Sequence, residues 1–123
     1  LAYSVSASLQ PYVDAGLMSV HAATDPKQAA AARDLIDKVL HATAAELEQA
    51  ELNRARAQAV AGLLMALEGP QGAADYLGRS LIVHRRFVPP AELVARIEAV
   101  TVDAARAAGG AILAHAPARA EIG

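Results

Sequence analysis

An α+β fold follows from three features of the sequence. Residues 1–9 alternate strictly between larger apolar and small side chains. A second alternating run, Leu17 to Ala23, comes after a short loop. From residue 25 onward the apolar spacing switches to three and four, the period of an amphipathic helix. Together these predict a small antiparallel or mixed sheet with helices packed on one face.

The first run is Leu1-Ala2-Tyr3-Ser4-Val5-Ser6-Ala7-Ser8-Leu9. Leu1, Tyr3, Val5, Ala7 and Leu9 share one face, while Ala2, Ser4, Ser6 and Ser8 share the other, as in a half-buried strand. The chain opens inside this strand, which suggests the later part of a longer polypeptide. Gln10-Pro11 ends it. A loop of roughly five to seven residues, with Gly16 near its end, leads to the second strand and predicts a hairpin.

Thr24 or Asp25 can cap a helix that begins at Pro26. Ala29, Ala32, Leu35, Ile36, Val39 and Leu40 form its stripe, and it should end near Ala42. Thr43-Ala44-Ala45-Glu46 has the spacing of a capping box. The helix it opens should reach about Glu68 and bury Leu47, Leu63, Leu64 and Leu67 against the sheet. Gly69-Pro70 breaks the chain, and a third helix should cover residues 71–83. Pro89-Pro90 breaks it again before a short helix over 91–97. Thr101 caps a last helix that runs to about Leu113. Ala118, Ala120 and Ile122 alternate with Arg119 and Glu121, which reads as a final strand.

Composition narrows the function. Hydrophobic residues make up 54% of the 123 and charged residues 20%, so the chain should fold. Aromatic residues are only 3%, which leaves a core of Leu, Ile, Val and Ala. Such a core is small, so a partner or self-association should add stability. The net charge of -2 lacks the basic excess of a nucleic-acid surface. The absence of cysteine removes disulfides and thiolate chemistry. The longest apolar run, Ala59 to Leu67, is about half the length a membrane span needs.

No residue pattern announces an active site. His21, His41, His84 and His115 lie too far apart in sequence for a helical zinc pair. Glu46, Glu48 and Glu51 suit the start of a helix. Ser4, Ser6 and Ser8 lie on no nucleophile elbow, and Gly109-Gly110 is not a phosphate loop. Arg79, Arg85 and Arg86 form a small basic group that could meet solvent, an anion or a partner.

Taken in order, four segments resemble a family. Leu1-Ala2-Tyr3-Ser4-Val5-Ser6-Ala7 is similar to the GLxYxVxA strand of the pitrilysin, insulinase and mitochondrial-processing-peptidase superfamily of zinc metallopeptidases. Asp14 to Thr24 resembles its DxGLFxIxAxT strand, and Glu51-Leu52-Asn53-Arg54-Ala55-Arg56-Ala57-Gln58 its ELERAKxQ helix. Ile97 to Ala104 resembles its IxxVTxEDV segment. The segments look most like the bacterial processing-peptidase branch; the compartment is not fixed by the residues, and the resemblance implies a bacterial cytoplasm or periplasm.

The resemblance implies the C-terminal portion of one non-catalytic domain over residues 1–123, an incomplete peptidase-like half. The family's zinc motif, HxxEH, belongs to the other half and is absent here. The resemblance therefore implies no cofactor in this chain and zinc in a catalytic half or companion peptidase subunit. It also implies a peptide substrate enclosed between the halves. Tyr3 matches the tyrosine of the family's arginine–tyrosine pair, which contacts substrate backbone carbonyls. The arginine would precede Leu1. A hydroxyl there can steady a developing oxyanion, although Tyr3 could equally pack with Val5 and Leu9. Two other roles stay open: a non-catalytic scaffold or interaction subunit, and a helical adaptor without peptidase ancestry. The latter has no need of the hairpin.

Overall fold

The computed structural model describes residues 2–122, so Leu1, assigned above to the face of Tyr3, lies outside the described residues. Two strands, β1 (Ser4–Pro11) and β2 (Gly16–Ala23), precede five helices. The helices are α1 (Ala29–Glu46), α2 (Gln49–Ala66), α3 (Pro70–His84), α4 (Pro90–Glu98) and α5 (Val102–Leu113). The α+β class stands, and the sheet is antiparallel. The chain divides into two units. One holds the hairpin, α1 and the segment from Arg106 onward; the other is Leu47–Ala105.

In the first unit, β1 and β2 pair in register from Ser4↔Ala23 to Pro11↔Gly16. The intervening loop, 12–15, is shorter than the sequence suggests, because the Tyr12 N–H donates to the Ala15 carbonyl at 2.8 Å and tightens the turn. β1 is exposed along its whole length, and β2 is half-buried only at Ser19 and Val20. The half-buried face expected of β1 is therefore open, with Val5 61% and Leu9 65% exposed. The described sheet has two strands, too few for an independent sandwich core.

Asp25 caps the helical region, its carboxylate accepting from the Lys27 N–H at 2.8 Å. A 3-10 turn over Pro26–Gln28 leads directly into α1. Among the stripe residues Ala32 is buried, Ala29, Ile36 and Leu40 are half-buried, and Leu35 and Val39 lie toward solvent. The helix does not stop near Ala42. It continues to Glu46 through Thr43, so no capping box forms there. Alanine at residues 42, 44 and 45 favours continuation. The break comes two residues later, and the Glu48 N–H donates to Glu51 Oε2 at 3.0 Å, one arm of a capping box. Glycine matters where α5 meets α1: a Cβ at Gly109 would sit 3.0 Å from the Ala44 Cβ.

The segment 116–122 forms no strand. Its alternating charges engage α1 instead. Arg119 Nη2 lies 2.5 Å from Asp37 Oδ2, and Arg33 Nη1 lies 3.9 Å from Glu121 Oε2.

In the second unit, α2 packs with α4. Leu52 is buried, and Arg56, Val60, Leu63 and Leu67 are half-buried. Their steps of four, four, three and four residues trace one helix face. Leu64 lies one residue, about 100°, off that stripe and is 51% exposed, so the core role expected for it fails. Gly69 caps α3 and Pro70 opens it. The α2–α3 turn requires Gly72, because a Cβ there would lie 1.8 Å from the Ala66 carbonyl oxygen.

The α3–α4 corner is the best-knit part of this unit. Arg85 ends α3 in the left-handed conformation, φ 57°, with its N–H donating to the Leu81 carbonyl at 3.0 Å. Ser80, only 4% exposed, donates to the Arg86 carbonyl at 2.9 Å and accepts from the Val88 N–H at 2.7 Å. Val88 is 2% exposed, and its carbonyl accepts from the Tyr76 hydroxyl at 2.7 Å. The Tyr76 and Phe87 rings meet edge to face, 6.3 Å apart. Thr101 caps α5, its hydroxyl accepting from the Ala104 N–H at 3.1 Å.

Candidate functional site

Register decides which side chains the hairpin presents together. Residues directly opposite in an antiparallel pair share a face. Val5, Ala7 and Leu9 therefore stand beside Ala22, Val20 and Met18 on one face. Ser4, Ser6 and Ser8 stand beside Ala23, His21 and Ser19 on the other. Neither strand carries an Asp, Glu, Lys or Arg. The outcome is one apolar face and one hydroxyl-rich face bearing an imidazole.

Tyr3 extends this ladder. Its N–H donates to the Ala23 carbonyl at 2.7 Å, just before the first register pair. The residue itself is 81% exposed. The ring is therefore largely uncovered in this structure. The Tyr3 backbone is anchored to β2 and its phenol is accessible.

The other candidates are dispersed. His21 lies in β2, His41 on α1, His84 at the end of α3 and His115 beyond α5. Among the described residues, no three His, Asp or Glu side chains are grouped closely enough to hold a metal ion. This chain's described residues do not fit a zinc site, and no step through zinc belongs to them. Glu51 serves the cap of α2.

The basic group separates into different roles. Arg86 forms a two-pronged pair with Glu92, at 2.8 and 2.5 Å, and Arg85 forms the end of α3. The hydrogen bond to Glu92, with its charge, raises the Arg86 guanidinium above its ordinary value. The hydrogen bond from Arg86 holds the Glu92 carboxyl below the usual carboxylate range, against a smaller opposing effect of desolvation. Both groups face solvent, so this pair orients the corner rather than forming an active site. The hydrogen-bonding roles of Ser80 and Tyr76 carry no signal in the sequence. A serine two residues past a glycine in a helix carries no signal that its hydroxyl will bridge the following loop.

Each unit also has a shallow cleft. One, of ≈350 Å³, is lined by Leu63, Leu93, Arg96, Ile97 and Val100. The other, of ≈340 Å³, lies between α1 and α5 beside His41 and Arg106. Neither gathers the convergent polar groups of a catalytic pocket. No helix among the described residues is long and apolar enough to cross a membrane.

Comparison with known proteins places these elements. A family model described as the peptidase M16 inactive domain matches residues 1–59, which include the hairpin and α1. The bovine mitochondrial-processing peptidase subunit alpha is 28% identical over 121 residues, 98% of this chain and 23% of that protein. A probable mitochondrial-processing peptidase subunit beta from Arabidopsis thaliana is 34% identical over 107 residues, 81% of this chain and 19% of its own. An uncharacterized zinc protease from Mycobacterium leprae is 31% identical over 104 residues, 84% of this chain and 23% of its own. The chain thus spans about a fifth of the length of these curated relatives.

Proposed function

We propose, from the premise that the chain belongs to the pitrilysin, insulinase and mitochondrial-processing-peptidase superfamily of zinc metallopeptidases as part of its inactive domain, that it forms one wall of a peptide-binding chamber. The zinc and the hydrolytic residues reside in a catalytic half, carried by the same polypeptide or by a companion peptidase subunit. The substrate is a peptide or an extended polypeptide. This chain binds and orients it; it does not break the bond itself. The observation that carries the proposal is Tyr3, anchored through its backbone to Ala23 with its ring in solvent.

In this reading the Tyr3 hydroxyl donates to a substrate carbonyl oxygen, and that hydrogen bond strengthens as the oxygen gains negative charge. A donor whose contact is stronger in the transition state raises turnover rather than affinity alone. The test is Tyr3→Phe in the assembled peptidase. Turnover should fall roughly 10- to 1000-fold, on the scale of other oxyanion donors. Thermal stability should hold, because the ring is retained and is already exposed. Unchanged turnover would instead assign the chain to the scaffold class.

A further inference from the structure

The alternating residues 118–122 lie against α1 and not in a strand. Arg33 and Asp37 are four residues apart on α1, so they lie on one side, about 6 Å along the axis. Arg119 and Glu121 are two residues apart in a segment without helix or strand. In extended backbone they also project to one side, about 6.6 Å apart. The two spacings match. Arg119 meets Asp37 at 2.5 Å and Glu121 meets Arg33 at 3.9 Å, so the segment runs antiparallel to the helix with opposite charges in register. Shifting the segment by one helical turn would set Arg119 on Arg33, like against like.

The attachment is specific in register but weak in strength. All four side chains are partly in solvent, with Asp37 at 40% and Glu121 at 70% exposed. Arg33 also lies 3.9 Å from Asp34, which competes for it. An exposed pair of this kind shifts an equilibrium by no more than about fivefold, and salt reduces that. Apolar anchoring adds little, since Ala118, Ala120 and Ile122 are exposed.

We propose that residues 116–122 are an ionic-strength-sensitive latch on α1, closed by the charge register Arg119–Asp37 and Glu121–Arg33. Opening releases Arg119, Asp37 and Glu121, leaves Arg33 beside Asp34, and bares the turn of α1 between residues 33 and 37. The latch is independent of the peptidase reading, because it needs nothing beyond this unit's own charges.

These 123 residues hold no cysteine, so spin labels at Ala30→Cys and Ala120→Cys meet no competing thiol within them. Their separation is then read by electron paramagnetic resonance. At about 50 mM salt a short distance should form a distinct population. At about 1 M salt, where the screening length falls to about 3 Å, the population of longer distances should grow severalfold. Arg119→Asp should give that longer distribution even at low salt, and adding Asp37→Arg should restore the short one. Circular dichroism of each variant reports whether α1 remains folded. A distance indifferent to both salt and Arg119→Asp would overturn the latch. So would failure of the double reversal to restore the short distance while the helix signal is intact.

Discussion

The two units solve opposite problems with the same amino acids. In the second, Ser80, Tyr76 and Val88 tie the α3–α4 loop to α3 through buried or part-buried hydrogen bonds, and Leu52 anchors α2. In the first, the hairpin is exposed except at half-buried Ser19 and Val20, Ala32 is the buried residue among those described, and exposed ion pairs hold the final segment. Buried hydrogen bonds are stiff because breaking one strands a polar group away from water. Exposed ion pairs can be replaced by water and counterions. The second unit therefore reads as a support, and the first as a surface arranged to meet something else.

The comparison can be broken first at Leu52. Leu52→Ala should cost about 2–5 kcal/mol, the range for a leucine removed from a packed site. Leu64→Ala, on the same helix but off its inward stripe, should stay within about 0.5 kcal/mol. Chemical denaturation of the two variants side by side checks both figures. Similar losses would mean that the inward face of α2 is misassigned.

Ser80→Ala is the next largest. It leaves the Arg86 carbonyl and the Val88 N–H without their partner, at a cost of about 1–3 kcal/mol. Amide exchange should report the effect at Val88 and its neighbours, while the hairpin amides remain as they were. Faster exchange in the hairpin would contradict the separation into support and surface.

The smallest effect belongs to the Arg86–Glu92 pair. Because Arg86 depresses the Glu92 carboxyl in the folded state, the pair contributes above the ordinary glutamate value of 4.5. That contribution is lost as pH falls further, through the depressed folded value. The stability of Glu92→Gln should therefore converge on that of the parent as acid is added below pH 4.5. A difference that widens on acidification would reverse the assignment.

Much of this was legible in the residues. Period-two alternation and the switch at Asp25 located the hairpin and the start of the helical region, because side-chain periodicity is local information. Gly69-Pro70, Pro89-Pro90 and Thr101 marked helix boundaries because their chemistry acts within a few residues. The failures are of a different kind. Thr43 carries capping-box spacing, yet the alanines around it let α1 run on to Glu46. Leu64 looked like core because a leucine pair, Leu63-Leu64, does not say which member faces inward. Arg119 and Glu121 alternate like strand residues, but their partners are 82 and 88 positions away on a helix. Such pairings depend on tertiary geometry, which single-sequence periodicity does not contain. Tyr3 was legible only through resemblance to a family motif; the structure adds its anchored backbone and open ring.

The central claim is that the hairpin unit, and not the α2–α4 unit, contacts the peptide. Photo-cross-linking in the assembled peptidase tests it most directly. A benzophenone amino acid is placed either at Tyr3 or at Ile82, which is 76% exposed on α3, and the complex is irradiated with a labelled peptide substrate. The account predicts capture at position 3, abolished by excess unlabelled peptide, and none above background at position 82. Absence of capture at position 3, or equal capture at both, would contradict it.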